Sequence, residues 1–583
     1  MTENCGAQLV LAIAAADPGG DLTLIHRFSG SASSPPVDAT QTTEPAISEF
    51  VADVAISDSA LIDALGVKTH VRREPQRIVH REWFDTFDWR LHRAGMTLER
   101  ATIMGGVDAE LQLRRTSGEV LQVIPVHPAG RNRSATGKTV VLESDAALAP
   151  ARRRLEHVVQ MRALLALVSV KTSVRTFCVL DPNAKTVARI VVEEATKETA
   201  AVVPAPRLRM RVEPVRGYQR EATQLARRLG AIPGLRPSGD GWLGAALAAV
   251  GRRAGDYSGQ LDLSLSPELP AVTAVQAILA RLLDIAEHNM PGIAADLDTE
   301  FLHDLRVSVR RARTALKLLG DTLPSDQVES LLLDLKWMSD LTTPTRDLDA
   351  HRLVAGNADA PPGQAEDLRP FSAFLLVRRQ AAHRKLVRGV RSARWSRARQ
   401  LWRSLCAWQP AAEAGFPTLV GPATIEEFAR PRIARAYRRA RRLGEAITAT
   451  SPAGDLHALR KRCKELRYLM EFFASLLEAR SYGRVLNQLK SLQDCLGEFQ
   501  DTYVQIRAVA TFADDMLTEG AGSAVTLMAL GRTVDGLELR QTQARKDFGQ
   551  RFKRFANKST RAHLAALTDE RHQLSPDGMR GWR

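Results

Sequence analysis

The segment His303-Asp-Leu-Arg306-Val-Ser-Val-Arg310-Arg-Ala-Arg313 decides the reading of this chain. A degenerate copy stands 154 residues downstream as His457-Ala-Leu-Arg460-Lys-Arg-Cys-Lys464-Glu-Leu-Arg467. The same offset carries Leu335-Lys336 onto Leu489-Lys490, Asp340 onto Asp494 and Asp347 onto Asp501. Matching along two successive helices at one constant offset implies two structurally equivalent halves. The surrounding 300 residues or so are rich in Leu, Ala and Arg, with apolar positions recurring at steps of three and four, so an all-helical region is expected over 271–560.

Steps of three, four and three place His303, Arg306, Arg310 and Arg313 within an arc of roughly 80° on one helix face. His457, Arg460, Lys464 and Arg467 repeat the stripe, and Arg432, Arg435, Arg439 and Arg442 give the same spacing a third time. Arg378, Lys385 and Arg388 follow it again, with Ala381 at the missing step. Four such stripes suggest one shared surface. An arginine-rich helix face is ordinarily solvated and paired with acids. Between Phe428 and Arg442, however, seven arginines stand with no Asp or Glu. Like charges at i,i+4 destabilise a helix, so a ligand or counter-ions are expected to offset them.

Charge distribution points the same way. The chain has 583 residues and a formal net charge of +15, of which +12 falls from residue 271 onward and +3 before it. A concentrated positive field is the footprint of a polyanion partner. Sequence-tolerant single-strand binders pair a basic groove with stacking aromatics. Here only 5% of residues are Phe, Trp or Tyr, and Phe371, Phe374, Tyr468, Phe472 and Phe473 fall at core-like helical spacings. A polymer made only of phosphate needs Arg forks, Lys charges and His donors but no base-reading surface, which favours it over RNA or DNA.

Ahead of the helical region, short β-branched runs alternate with turn signals. These are VVL at 140–142, FCVL at 177–180 and ARIVVEE at 188–194, and they are read as antiparallel strands. RGYQREATQLARRLG at 216–230 and GWLGAALAAVG at 241–251 read as helices, 251–270 as a linker, 29–45 as disordered and 561–583 as a tail. Five scattered cysteines fit neither a disulfide framework nor zinc knuckles. No signal peptide and no membrane span are read, so a cytoplasmic location is expected.

With these residues in view, 271–560 resembles the CHAD domain, the conserved histidine α-helical domain. The resemblance rests on the His-x-x-Arg-x-x-x-Arg-Arg helix, the Leu-Lys…Asp helix and the second copy ending LKSLQDCLGEFQD at 489–501. It implies two pseudo-symmetric four-helix bundles around a basic channel that binds inorganic polyphosphate. The family's histidines map onto His303 and His457, and its basic positions onto Arg306, Arg310, Arg313, Lys336, Arg460, Lys464, Arg467 and Lys490. The first copy departs from the usual form by reading Thr342-Thr343 where the second has Leu496-Gly497.

Upstream, HREWFDTFDWRLHRAGMTLER at 80–100 and the 216–230 helix are similar to the CYTH or triphosphate-tunnel family, which implies an antiparallel β tunnel over 1–250. That family's Glu-x-Glu-x-Lys strand aligns with Gly6-Ala7-Gln8-Leu9-Val10, where both acids and the lysine are missing, and Leu98-Glu99-Arg100-Ala101 and Ser238-Gly239 replace two further basic motifs. A divalent metal needs carboxylate oxygens and triphosphate needs fixed cations, so no hydrolytic activity, metal or cofactor is expected. Glu193, Glu194 and Glu213 are read as exposed strand acids. The expected protein is therefore an α+β, two-domain polyphosphate binder, associated with polyphosphate granules and their proteins. The rival readings are a triphosphatase or polyphosphatase with unusual ligands and a generic RNA- or DNA-binding module.

Overall fold

The computed structural model describes residues 13–15, 49–66, 70–105, 109–116, 119–126, 149–160, 162–196, 207–238, 241–355, 364–409 and 424–568. The expected strands at 6–10 and 140–142 and the disordered segment 29–45 lie outside the described residues. The chain divides into two compact units: Met1–Gly259 with Ala295–Phe301, and Gln260–Ala294 with Leu302–Arg583.

The first unit is built on strands β1 (Ile13–Ala15), β2 (Glu49–Ala52), β3 (His70–Arg73), β4 (Arg77–Asp85), β5 (Met96–Ile103), β6 (Ala109–Arg115), β7 (Val120–Val126), β8 (Leu164–Leu180), β9 (Thr186–Ala195), β10 (Leu208–Pro214) and β11 (Arg236–Pro237). Its helices are α1 (Asp58–Leu65), α2 (Arg90–Arg93), α3 (Ala149–Val159), α4 (Gln219–Leu229) and α5 (Trp242–Ala249). The strands pair in the order β11-β2-β10-β9-β8-β4-β5-β6-β7, antiparallel along that path, with β3 antiparallel and β1 parallel on β8. Among the described strands this order is open and does not close into a tunnel. Alternation sorts the two faces. One presents Phe50, Phe177, Ile190, Val192 and Met210 to a core shared with α1 and α4. The other carries charged side chains among which α5 inserts Trp242, packed with Trp83, Val170 and Ala195.

The second unit is all helical: α6 (Ala271–Ala295), α7 (Thr299–Leu319), α8 (Ser325–Ala355), α9 (Gln364–Asp367), α10 (Arg369–Val390), α11 (Ala393–Cys406), α12 (Ile425–Glu445), α13 (Ala453–Phe472), α14 (Ala479–Thr518), α15 (Ala524–Phe555) and α16 (Lys558–Thr568). The offset of the sequence repeat runs through the architecture. The starts of α6, α7 and α8 fall 154 residues before those of α12, α13 and α14, and the 3-10 turn Gly320–Thr322 precedes its counterpart Ala474–Leu476 by the same interval. The two halves are thus built on three equivalent helices each, and α10 and α15 join α8 and α14 in one apolar cluster with Leu348, Phe371, Val509 and Leu530. Thr424 opens α12 with a reciprocal capping box to Glu427. The apolar seams are deeply buried, as at Val275, Leu279 and Leu282 of α6 and Leu459, Leu466 and Leu489 in the second half.

Candidate polyanion site

Helical periodicity splits α7 into a buried row, Leu302, Leu305, Val309, Ala312 and Leu316, and a half-buried row, His303, Arg306, Arg310 and Arg313. α13 does the same, with Leu456, Leu459, Cys463 and Leu466 inside and His457, Arg460, Lys464 and Arg467 half-buried. The two helices meet directly. Arg311 of α7 donates from Nη2 to Glu471 of α13 at 2.7 Å, and its guanidinium lies 5.7 Å from the Tyr468 ring centroid. The rows that the sequence marked as equivalent therefore come from facing helices, and their cations act on one another.

Lys464 shows this most clearly. Its ammonium is pushed down to about 7, first by desolvation and then by Arg310 of the opposite helix and Arg460 of its own, against the opposing pull of Asp501. Arg306 is lowered to about 10, again chiefly by desolvation, with Asp347 acting against Arg310 and Arg346. His457 is lowered by desolvation and by Lys461, Arg460 and Lys464. Cations held in an enclosed site that disfavours their charge form a site suited to an anion.

Hydrogen bonding around the cluster is incomplete. Arg306 donates from Nη1 to the Thr342 hydroxyl at 2.8 Å, the Thr343 hydroxyl at 2.9 Å and the Ser339 carbonyl at 3.3 Å, all neutral acceptors. The Thr342-Thr343 departure thus supplies acceptors to Arg306, and α8 continues through it to Ala355. In the second half Arg460 passes beside Gly497 and pairs with Asp501 at 3.1 Å. Arg310 has no carboxylate partner among the described residues. The buried Nε atoms of Arg310, Arg313 and Arg460 and Nδ1 of His457 find no protein acceptor or donor. Buried donors left this way cost roughly 1–3 kcal/mol each, a cost that a bound anion removes.

The remaining sequence-marked residues have other surroundings. Arg467 is tied to Glu471 at 2.5 Å, and Lys336, exposed on α8, pairs with Asp340 at 2.7 Å. His303 and Lys490 are half-buried on α7 and α14. Arg378 is engaged by Asp515 at 2.8 Å and Glu519 at 2.9 Å, while Lys385 and Arg388 are exposed on α10. Arg432 anchors α12 to the end of α7 through the Leu318 carbonyl and Asp321. Arg435, Arg439 and Arg442 face solvent. The charges acting most strongly on Arg306 and Lys464 come from α7, α8, α13 and α14, so the stripes of α10 and α12 are not brought into that cluster. Sequence reasoning left Arg346, Asp347 and Asp501 out of the site. The repeat offset linking Asp347 to Asp501 was the signal that could have included the two acids.

In the first unit, Glu193 corrects the reading of exposed strand acids. It is 2% exposed, held by Arg81 at 2.7 Å, Arg211 at 3.1 Å and the Trp242 indole N–H at 2.6 Å. Arg81 also pairs with buried Glu99, which Arg114 approaches at 3.8 Å. The reason is strand parity: Glu193, Arg211, Arg81 and Glu99 all fall on the face that α5 covers. Glu194 and Glu213 are only partly exposed, near Arg175 and Arg211 respectively.

Comparison with known proteins places the helical unit. Residues 277–510 match the CHAD domain, and this part of the chain is a CHAD domain. Among solved structures, the CHAD domain from the plant Ricinus communis shares 22% identity at a TM-score of 0.42, covering 53% of this chain and 96% of that one. PptA from Streptomyces chartreusis shares 19% at 0.39, covering 49% and 100%. The PH1819 protein from Pyrococcus horikoshii OT3 shares 9% at 0.19, covering 34% and 95%. No curated protein matches the chain. None of the described helices is long and apolar enough to cross a membrane.

Proposed function

We propose that this protein binds inorganic polyphosphate, without cleaving it, through the enclosed cations of α7 and α13: Arg306, Arg310, Arg313, His457, Arg460 and Lys464. The observation that carries this reading is the position of Arg310, which has no carboxylate partner among the described residues, carries a buried Nε without an acceptor, and acts on both Lys464 and Arg306, each lowered chiefly by desolvation. Phosphate supplies the missing charge, and its oxygens satisfy guanidinium forks without any surface for reading bases. The CHAD match supports the same ligand class, since the resemblance implies a polyphosphate-binding helical domain. In the first unit, Glu99 and Glu193 are consumed by Arg81, Arg114 and Arg211, so the carboxylates that would hold a divalent metal already serve the fold. This supports a scaffold role for that unit, and polyphosphate granules are the cellular location that the proposed binding implies.

The test is retention of long-chain polyphosphate by the Arg310→Glu, Lys464→Glu double variant, with circular dichroism as the control for folding. A folded variant that no longer retains polyphosphate is expected; unchanged affinity would sink the assignment. Phosphate release from tripolyphosphate with and without Mn²⁺ separates binding from hydrolysis, and stronger capture of single-stranded RNA than of polyphosphate would favour a generic polyanion surface.

A further inference from the structure

The seven arginines between Phe428 and Arg442 are divided by the structure into two groups. Arg430 pairs with Glu426, Arg432 with Asp321, and Arg441 with Glu445 at 3.2 Å. The other four, Arg435, Arg438, Arg439 and Arg442, are all exposed, and none has a carboxylate partner among the described residues. Their spacing of three, four and seven places them within an arc of about 100° over about 10 Å of helix axis, opposite the buried row Ile433, Tyr437, Ala440 and Gly444. Every neighbouring pair among them is a like-charge pair at i,i+3 or i,i+4, which works against the helix.

The helices on which α12 packs through its inward row carry exposed cations of their own. The Tyr437 hydroxyl donates to the Phe555 carbonyl at 3.2 Å, Arg430 reaches the Leu567 carbonyl at 3.5 Å, and Gly444 abuts the Phe552 ring. The end of α15 and α16 therefore flank α12. They add exposed Lys553, Arg554, Lys558 and Arg561, the last acting on Tyr437 together with Arg441. The aromatic rings here are turned inward, Tyr437 and Phe555 being buried. A single-stranded nucleic acid would find no stacking platform.

We propose that this outward face of α12 is a second polyphosphate-binding site, separate from the enclosed α7–α13 cluster, so that one molecule grips two stretches of polyanion. The identity of the polyanion rests on the reading under Proposed function, whereas the uncompensated face does not depend on it. Two grips on one protein also bridge chains, so long polyphosphate is gathered as well as held.

The test uses the full chain and two variants: the outer Arg435→Gln, Arg438→Gln, Arg439→Gln, Arg442→Gln and the enclosed Arg310→Gln, Lys464→Gln. Long-chain polyphosphate is titrated calorimetrically at several salt concentrations, with light scattering recorded. The expected result for the outer variant is loss of roughly half the bound phosphate at saturation, a log–log salt slope smaller by about three for four lost cations, and loss of scattering. Wild-type stoichiometry, slope and scattering in a folded outer variant overturn the proposal. So does loss of RNA binding with polyphosphate binding intact, which would make the face a nucleic-acid surface. If instead the enclosed variant binds normally while the outer one does not, the second site stands and the enclosed-cluster reading falls. Because the outer substitutions remove mutually repelling, exposed charges, the variant is expected to melt no lower than the parent, and it decides the question even if the enclosed variant fails to fold.

Discussion

Lys464 is the residue at which binding and protonation are coupled. Enclosure and the neighbouring Arg310 and Arg460 hold its ammonium at about 7, and a phosphate oxygen beside it would restore the charged form. Below about pH 7 the lysine is already charged and adds no slope of its own, and affinity should rise further only where His457, held below the ordinary imidazole value, gains its proton. Above about pH 7, binding must take up a proton, and affinity should fall by up to tenfold per pH unit, measurable as proton uptake in buffers of different ionisation enthalpy. Lys464→Arg should abolish this slope, because guanidinium stays charged. The sign for folding follows from the same depression. The folded protein binds fewer protons than the unfolded chain between about 7 and 10.4, so stability should rise with pH in that window. Asp501 has the opposite influence on binding. As the carboxylate on Arg460 it competes with phosphate, and Asp501→Asn should tighten polyphosphate binding by about two- to fivefold, the scale of a part-exposed ion pair, in the same titration.

At the scale of elements, close helix crossings make the most exposed prediction. At Gly444 a Cβ would fall 1.9 Å from the Phe552 ring, where α12 passes α15. Gly444→Ala should cost about 1–3 kcal/mol by overpacking, read as a lower urea midpoint. Gly483 of α14 has open space around its Cβ position, so Gly483→Ala should instead be neutral or stabilise by up to about 1 kcal/mol. Elements of this kind were legible in the sequence where periodicity and repetition acted together. The 154-residue offset found in the His-x-x-Arg helix carried through to the starts of α6 and α12 and to the two 3-10 turns. The partition of the basic stripes was not legible. Arg435 and Arg310 occupy equivalent-looking spacings, yet one faces solvent and the other faces α13, because the distinction depends on which helix packs opposite. Glu193 was misread for a related reason: the helix at 241–251 was legible, but not that it packs its Trp242 over the sheet face carrying Glu193.

At the scale of the whole molecule, the two units use charge in opposite ways. In the helical unit cations such as Arg310, Arg435, Arg438, Arg439 and Arg442 stand without a carboxylate partner among the described residues. In the sheet unit Arg81 and Arg211 converge on Glu193, Arg81 and Arg114 on Glu99, and Trp242 completes the Glu193 carboxylate. A buried network of this kind fixes structure and leaves little capacity for a ligand, because removing one partner strands the others. Glu193→Gln should therefore destabilise the first unit by about 3–5 kcal/mol, seen as a lowered midpoint in thermal or urea unfolding followed through tryptophan fluorescence. Polyphosphate affinity should change less than twofold in the same variant below that midpoint, since none of the cations assigned to the ligand lies in that unit. A matching loss of affinity while the helical unit stays folded would instead make the sheet unit part of the polyphosphate site.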